Sequence, residues 1–166
     1  MPTLERLRAD HAEALFAFER DNRAYFARTV PDRGDAYFAH FADRHGALLA
    51  EQEEGVCHFH VVLGDAGEIA ARVNLVDVDP ADGSAELGYR VAERYAGRGL
   101  ATAAVREVCG AAAAAYGLRA LTAVTHEDHL ASRRVLERTG FTATGRFLLD
   151  GRPAVRHRRS LEGLLP

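Results

Sequence analysis

Residues 85–116 of this 166-residue chain place a β-strand, a glycine turn and a long helix in direct succession. The residue pattern predicts a strand over Ala85–Val91, a turn at Gly97 and Gly99, and an alanine-rich helix over Leu100–Tyr116. Glycine has no Cβ, so an anion can approach the backbone N–H groups of such a turn. The start of the helix adds unpaired N–H groups and the positive end of its dipole. The segment therefore predicts a phosphate-binding loop, with a plain tight turn as the alternative.

This loop differs from two well-known phosphate-binding motifs. A Walker loop requires Gly-Lys-Ser/Thr, and all 21 basic residues of the chain are arginines. A dinucleotide-binding loop would have a third glycine at position 102, where this chain has Thr102. Arg94 and Arg98 flank the turn and can make charge-assisted contacts to phosphate. The absence of lysine also excludes chemistry that needs a catalytic lysine.

The elements around this loop predict an α+β fold, in which a mixed sheet carries helices on its faces. Helical spacing covers the first third of the chain, with Asp10 as a cap and a second helix over Ala36–Glu54. Three strands joined by turns then predict an antiparallel meander, over Val56–Leu63, Ile69–Val78 and Ala85–Val91. The later elements are a strand over Arg119–Thr125, a helix over Leu130–Arg138 and a hairpin of Phe141–Leu149 with Pro153–Leu161. A right-handed crossover should place strand 119–125 parallel to strand 85–91.

Composition restricts the class of protein further. The chain is 48% hydrophobic and 27% charged with a net charge of −3, which is globular composition and argues against a general nucleic-acid clamp. Cys57 and Cys109 are too few for a disulfide scaffold, and both are expected to be buried thiols. We find neither a secretory signal nor an apolar run of about 20 residues that could span a membrane. The sequence thus predicts a single cytoplasmic domain over residues 1–166, with no nucleic-acid or membrane partner.

Two stretches resemble the signatures of the GNAT superfamily of N-acetyltransferases. Arg94–Gly99 fits the pattern Gln/Arg-x-x-Gly-x-Gly/Ala, and Asp128–Phe141 resembles Asn-x-x-Ser followed by a helix and Gly-Phe. Together with Glu-Leu-Gly-Tyr at 86–89, they resemble the RimJ/RimL-type branch of ribosomal-protein N-acetyltransferases. The element order is similar over nearly the whole chain. This resemblance implies a mostly antiparallel central sheet of about six to seven strands, flanked by helices, with a splayed fourth strand.

The resemblance also implies acetyl-CoA as cosubstrate and no metal. Its pyrophosphate would lie on the backbone amides of the signature loop, and its pantetheine arm along the splayed strand. The residues expected to bind it are Tyr89, Val91, Arg94, Gly97, Arg98, Gly99, Leu100, Ala101 and His129. His129 stands where the family usually has asparagine, and an imidazole donates a hydrogen bond with different geometry.

Acetyl transfer in the family is direct, so a base must take the proton of the attacking amine. Glu86 is the candidate base, with a merely polar strand position as the alternative. Ser132 is the candidate proton donor to the leaving thiolate, with a backbone-bonding serine in the first turn of a helix as the alternative.

The favoured acceptor is a protein or peptide N-terminus. The alternatives are a small-molecule amine, such as an antibiotic, amino acid or polyamine, and a non-catalytic acyl-CoA-binding module. Asp21–Arg23, Tyr25 and Phe26 are expected to line the acceptor cleft of a monomer or homodimer. Arg156–Arg159 is either a solvated strand with one inward residue or a contact for the CoA 3′-phosphate or an acidic substrate. His58 and His60 share one strand face, but no cysteine or third ligand is close to them in the sequence, which argues against a zinc site.

Overall fold

The apolar and β-branched runs of the chain build one mixed sheet. The computed structural model describes residues 2–164, and within that range the sheet has seven strands. They are β1 Thr3–Arg6, β2 His58–Leu63, β3 Ile69–Asp79, β4 Ser84–Val91, β5 Ala120–His126, β6 Thr142–Leu149 and β7 Arg152–Ser160. Their order across the sheet is β1-β2-β3-β4-β5-β7-β6. Strands β4 and β5 run parallel and the other neighbours antiparallel, so the predicted α+β architecture and the parallel pairing of these two strands are confirmed.

Helices cover both faces of this sheet. They are α1 Ala12–Asp21, α2 Arg23–Phe26, α3 Asp35–Ala39, α4 Phe41–Glu54, α5 Leu100–Ala114 and α6 Leu130–Arg138. Successive strand residues point to opposite faces, so Val61 packs with the cluster that includes α1 and α4, while Val62 packs with the cluster that includes α5. Among residues 2–164, no helix combines the length and the apolar character needed to cross a membrane.

The first third of the chain differs from its predicted form. Strand β1 precedes the helices and pairs with β2 at the sheet edge, although four residues with two charges carry little strand pattern. Helix α1 begins after His11 without a side-chain cap, so Asp10 does not cap it. The helix predicted over Ala36–Glu54 is interrupted at His40, whose backbone leaves helical geometry at φ −114° and ψ 28°.

The fourth strand separates from its neighbour as predicted. Strand β4 pairs with β5 only from Ser84 to Glu86, opposite Ala120 to Thr122. Its remaining residues, Leu87–Val91, stay paired with β3 but have left β5. The sheet is therefore open between β4 and β5, on the side where the loop to α5 begins.

A buried histidine lies on β2, two strands away from β4 in the sheet. His60 on β2 is only 3% exposed. Its Nδ1 lies 3.3 Å from the carbonyl oxygen of Val73, and its Nε2 lies 2.6 Å from the hydroxyl of Tyr116. The contacts fit a neutral imidazole that donates from Nδ1 and accepts at Nε2. Burial lowers the pKa of His60 to about 4.

We expect this histidine to make the fold sensitive to acid. The pKa of His60 is lower in the folded than in the unfolded state, because the buried ring resists protonation. The contribution of His60 to the free energy of unfolding is therefore complete above the unfolded pKa of about 6.5, and it falls as the pH drops towards 4. Between pH 7.5 and 5 this loss amounts to about 2 kcal/mol, or about 4–8 °C in Tm. Thermal denaturation of the wild type and of His60→Gln across this range measures it. The variant should show the flatter dependence, and the exposed His40→Gln should follow the wild type; parallel curves for all three would refute the assignment.

Candidate active site

The opening between β4 and β5 forms the entrance to a cleft of about 740 Å³. Both splayed strands contribute to its wall, as do the start of α5, the start of α6, α2 with the loop that follows it, and the β6–β7 turn. Strand β4 contributes residues from both of its faces, because Gly88 and Arg90 line the cleft together with Leu87, Tyr89 and Val91. The backbone of β4 at the splay can therefore be reached from both faces of the sheet.

The glycine turn lies at one end of this cleft. Gly97 and Gly99 have φ angles of +73° and +76°, the left-handed region that favours glycine, and an added Cβ would meet nothing within 4 Å at either position. Gly97, Gly99, Leu100 and Ala101 all line the cleft, and α5 begins at Leu100. The first-turn N–H groups of a helix have no partner within it. The turn and helix start therefore have the open, donor-rich form that a pyrophosphate needs.

The two arginines of this motif do not line the cleft. The guanidinium groups of Arg94 and Arg98 lie 5.0 and 5.9 Å from the ring centroid of Tyr95. Arg94 also lies 4.0 Å from a carboxylate oxygen of Glu68. Both arginines are exposed, so they flank the entrance rather than form its wall.

Two hydroxyl groups meet inside the cleft. The phenol oxygen of Tyr89 on β4 lies 2.7 Å from Oγ of Ser132 in the first turn of α6. Burial raises the pKa of Tyr89, so the phenol carries its proton at neutral pH. Val91, two residues further along the same face of β4, also lines the cleft. The structure thus brings Tyr89 and Val91 of the first motif region together with Ser132 of the second.

His129 occupies the position immediately before α6 and lines the cleft. Burial lowers its pKa, and the nearby His126 lowers it further, while Asp128 acts in the opposite direction. The ring is therefore neutral at pH 7 and can donate one hydrogen bond and accept one.

Glu86 is placed differently from the other predicted residues. It is the last residue of β4 that pairs with β5, it is half-buried, and it does not belong to the cleft lining. Its side chain shares a face of the strand with Gly88 and Arg90, both of which line the cleft. Gly88 is two residues away, or about 6.7 Å along the strand. Glu86 thus lies at the base of the splay, on the face opposite to Tyr89.

The structure adds cleft residues that the sequence analysis missed. His126, at the end of β5, lines the cleft with a buried Nδ1 that has no hydrogen-bond partner among the described residues. Asp150, in the β6–β7 turn, is the one carboxylate in the lining formed by residues 2–164. The Asp-Gly pair at 150–151 indicates a turn in the sequence, but nothing local shows that this turn reaches the cleft.

The structure brings only part of the predicted acceptor segment to the cleft. Tyr25 and Phe26 line the cleft, whereas Asp21–Arg23 have structural contacts instead. Asn22 accepts a hydrogen bond from the backbone N–H of Glu93, and Arg23 forms ion pairs with Asp32 and Asp35. This segment holds α2 in place rather than facing the cleft.

The basic stretch of β7 has the solvated form expected of an alternating strand. Arg156 and Arg158 are exposed, whereas His157 between them is 2% exposed and its Nε2 lies 3.0 Å from the hydroxyl of Thr125.

Comparison with known proteins identifies the family. The chain matches the acetyltransferase (GNAT) domain over residues 3–142. It therefore belongs to the GNAT family of acetyltransferases, and it is an N-acetyltransferase with the GNAT fold, as the sequence predicted. A comparison with curated protein sequences gives no significant match.

Several solved structures share the fold. The ribosomal-protein-S5-alanine acetyltransferase of Vibrio fischeri has a TM-score of 0.89 at 18% identity, covering 99% of this chain and 96% of that one. RimJ of Mycobacterium smegmatis, in complex with a CoA disulfide, has a TM-score of 0.86 at 24% identity, with coverages of 98% and 83%. A chimera of the spermidine N-acetyltransferase SpeG from Vibrio cholerae and hSSAT has a TM-score of 0.79 at 16% identity, with coverages of 98% and 97%. These likenesses extend the agreement in fold to nearly the whole chain.

Proposed function

We propose that this chain, as a single acetyltransferase domain of the cytoplasm, transfers an acetyl group from acetyl-CoA directly to the N-terminal amine of a protein or peptide. The observation that carries the proposal is the splay of β4 and β5, which opens a cleft. The glycine turn lies at one end of this cleft, and the Tyr89–Ser132 hydroxyl pair lies inside it. The similarity to RimJ/RimL-type enzymes supports the choice of acceptor.

The residues of the cleft fit acetyl-CoA. The backbone amides from Gly97 to Ala101 would bind the pyrophosphate, because the turn is open and the helix start offers unpaired N–H groups. The edge of β4 that β5 has left would hydrogen-bond the pantetheine arm as an added strand does, with Tyr89 and Val91 facing it. His129 would donate or accept one hydrogen bond near the same arm.

The catalytic roles follow from the two faces of β4. Acetyl-CoA supplies an activated thioester carbonyl at the splay. Glu86, on the face towards the acceptor, would take the proton of the attacking amine through a water. A backbone N–H near Tyr89 or Val91 would stabilise the oxygen that becomes negative. Ser132, hydrogen-bonded to the phenol of Tyr89, would give a proton to the departing sulfur.

The charge of the cleft bears on the choice of acceptor. Polyamines carry several positive charges and need several acids, but Asp150 is the one carboxylate in the lining formed by the described residues. The same lining includes the arginines Arg28, Arg90, Arg134 and Arg138. This balance favours an acceptor with a single amine over a polyamine, and a small-molecule amine stays the second candidate.

A CoA-release assay with acetyl-CoA tests the proposal directly. The acceptor panel contains N-terminal peptides, free amino acids, an aminoglycoside and spermidine, and mass spectrometry locates the acetyl group. We expect turnover with peptides and acetylation of their α-amine. Turnover with a small amine alone would contradict the peptide assignment, while CoA binding without turnover of any acceptor would favour the non-catalytic module.

A further inference from the structure

One buried carboxylate near the cleft is surrounded by three arginines. Glu19 on α1 is 1% exposed, and its oxygens lie 2.8 Å from Arg33, 3.3 Å from Arg90 and 3.8 Å from Arg72. Among residues 2–164, Glu19 is the one acid within ion-pair distance of these guanidinium groups. The group therefore carries two more positive charges than negative ones.

Two of these arginines lie side by side on the sheet. Arg72 on β3 and Arg90 on β4 are direct cross-strand partners, so their side chains leave the same face. Arg72 is 3% exposed, and its Nη1 has no hydrogen-bond partner among the described residues. Like charges this close are unfavourable unless an anion compensates them. Burial lowers the pKa of both guanidinium groups, and the positive charge of Arg33 lowers both further.

Arg90 connects this group to the cleft. Its side chain is 19% exposed, it lines the cleft, and its guanidinium lies 5.0 Å from the ring centroid of Phe26, which lines the cleft as well. Arg33 and Arg72 do not belong to the lining. An anion that enters from the cleft would therefore meet Arg90 first, with Arg72 beside it, and these two arginines and Arg33 share the single carboxylate of Glu19.

We infer that the acceptor carries a carboxylate within about four residues of its amine, and that Arg90 binds this carboxylate. The inference rests on the proposed function and adds the substrate class: a peptide N-terminus with an acidic side chain among its first residues. Arg90 is four residues from Glu86, or about 13 Å along β4. An extended peptide advances about 3.3 Å per residue, so an acid within about the first four residues would reach Arg90 while the amine lies at the splay.

Two matched peptides that differ by Glu or Gln at position 3 test this inference. For the wild type we expect kcat/KM to be about tenfold higher with the Glu peptide, mainly through a lower KM, because a charge-assisted contact is made in one case only. Arg90→Gln should lose this preference, so that its kcat/KM for the Glu peptide falls to about the value for the Gln peptide. Arg33→Gln is the matched control, since it also removes one partner of Glu19 but lies outside the cleft lining; it should keep the preference.

The outcomes separate this inference from the proposed function. Equal kcat/KM for the two peptides in the wild type would overturn the inference and leave peptide acetylation standing. A preference that Arg90→Gln retains would overturn the role of Arg90. Absence of turnover with both peptides, while CoA still raises the Tm, would count against the peptide acceptor itself.

Discussion

Replacing Glu86 by glutamine is expected to lower kcat at least about 100-fold, the usual range for loss of a general base. Glutamine has nearly the same size and can still hold a water, but it cannot accept the proton of the attacking amine. The position of Glu86 at the base of the splay, away from the cleft lining and opposite the face of Tyr89, predicts that CoA affinity stays unchanged. Steady-state kinetics with a peptide acceptor and calorimetric titration with CoA measure the two quantities.

Two cleft residues, His126 and Asp150, are alternative candidates for the general base and are tested alongside Glu86. His126→Gln removes an imidazole whose Nδ1 has no partner among the described residues, and Asp150→Asn removes the carboxylate of the lining. Both variants should keep kcat within a few-fold of the wild type. A 100-fold loss in either variant, with Glu86→Gln active, would transfer the role of the base to that residue. Ser132→Ala provides a comparison on the other face of β4, where a loss of kcat would arise from the leaving group instead.

Replacing Gly99 by valine is expected to weaken CoA binding at least about 100-fold, which corresponds to about 2.7 kcal/mol. Gly99 has φ +76° and immediately precedes α5. A β-branched residue is a strained occupant of this conformation, at a cost of about 1–2 kcal/mol. Its side chain would also stand in the open space where the pyrophosphate has to approach the backbone amides. Calorimetric titration with CoA gives the affinity, and thermal denaturation gives the stability.

Gly55 provides the matched control for this variant. It has φ +78° at the end of α4, with nothing within 4 Å of an added Cβ, and it does not line the cleft. Gly55→Val should therefore lose a similar amount of stability and keep its CoA affinity. Equal weakening of CoA affinity in both variants would show that the loss arises from backbone strain and not from a blocked pyrophosphate site at Gly99.

The sequence predicted the parts of this protein that depend on local chemistry. The strand–turn–helix over residues 85–116 appears in the structure because its glycines adopt left-handed conformations that few other residues accept. Regular alternation and helical spacing located β2 to β7, α5 and α6. Strand β1 was missed because a four-residue edge strand is too short to show a periodic pattern. The interruption at His40 was missed because the non-helical backbone of one residue does not change the helical spacing around it.

The residues of the candidate site show the same division. The signature positions 97–101 and 129–132 are local motifs, and the sequence alone was sufficient to select them. Their mutual geometry was not predictable, because Tyr89 and Ser132 are 43 residues apart and meet only through the packing of α6 against β4. Asp150 and His126 line the cleft because of the order of the strands in the sheet, and this order cannot be predicted from the sequence around either residue.

By itself, the sequence determined the class of fold, the family resemblance and the glycine turn before α5, since these follow from residue periodicity and from backbone conformations that only glycine adopts readily. The tertiary structure decided which side chains share the cleft, and which charges share a buried space. Glu19 lies 71 residues from Arg90 along the chain, and their contact exists because α1 packs on the sheet face to which β3 and β4 bring two arginines. Such an arrangement depends on register and packing between distant elements, so it is visible only once the chain is folded.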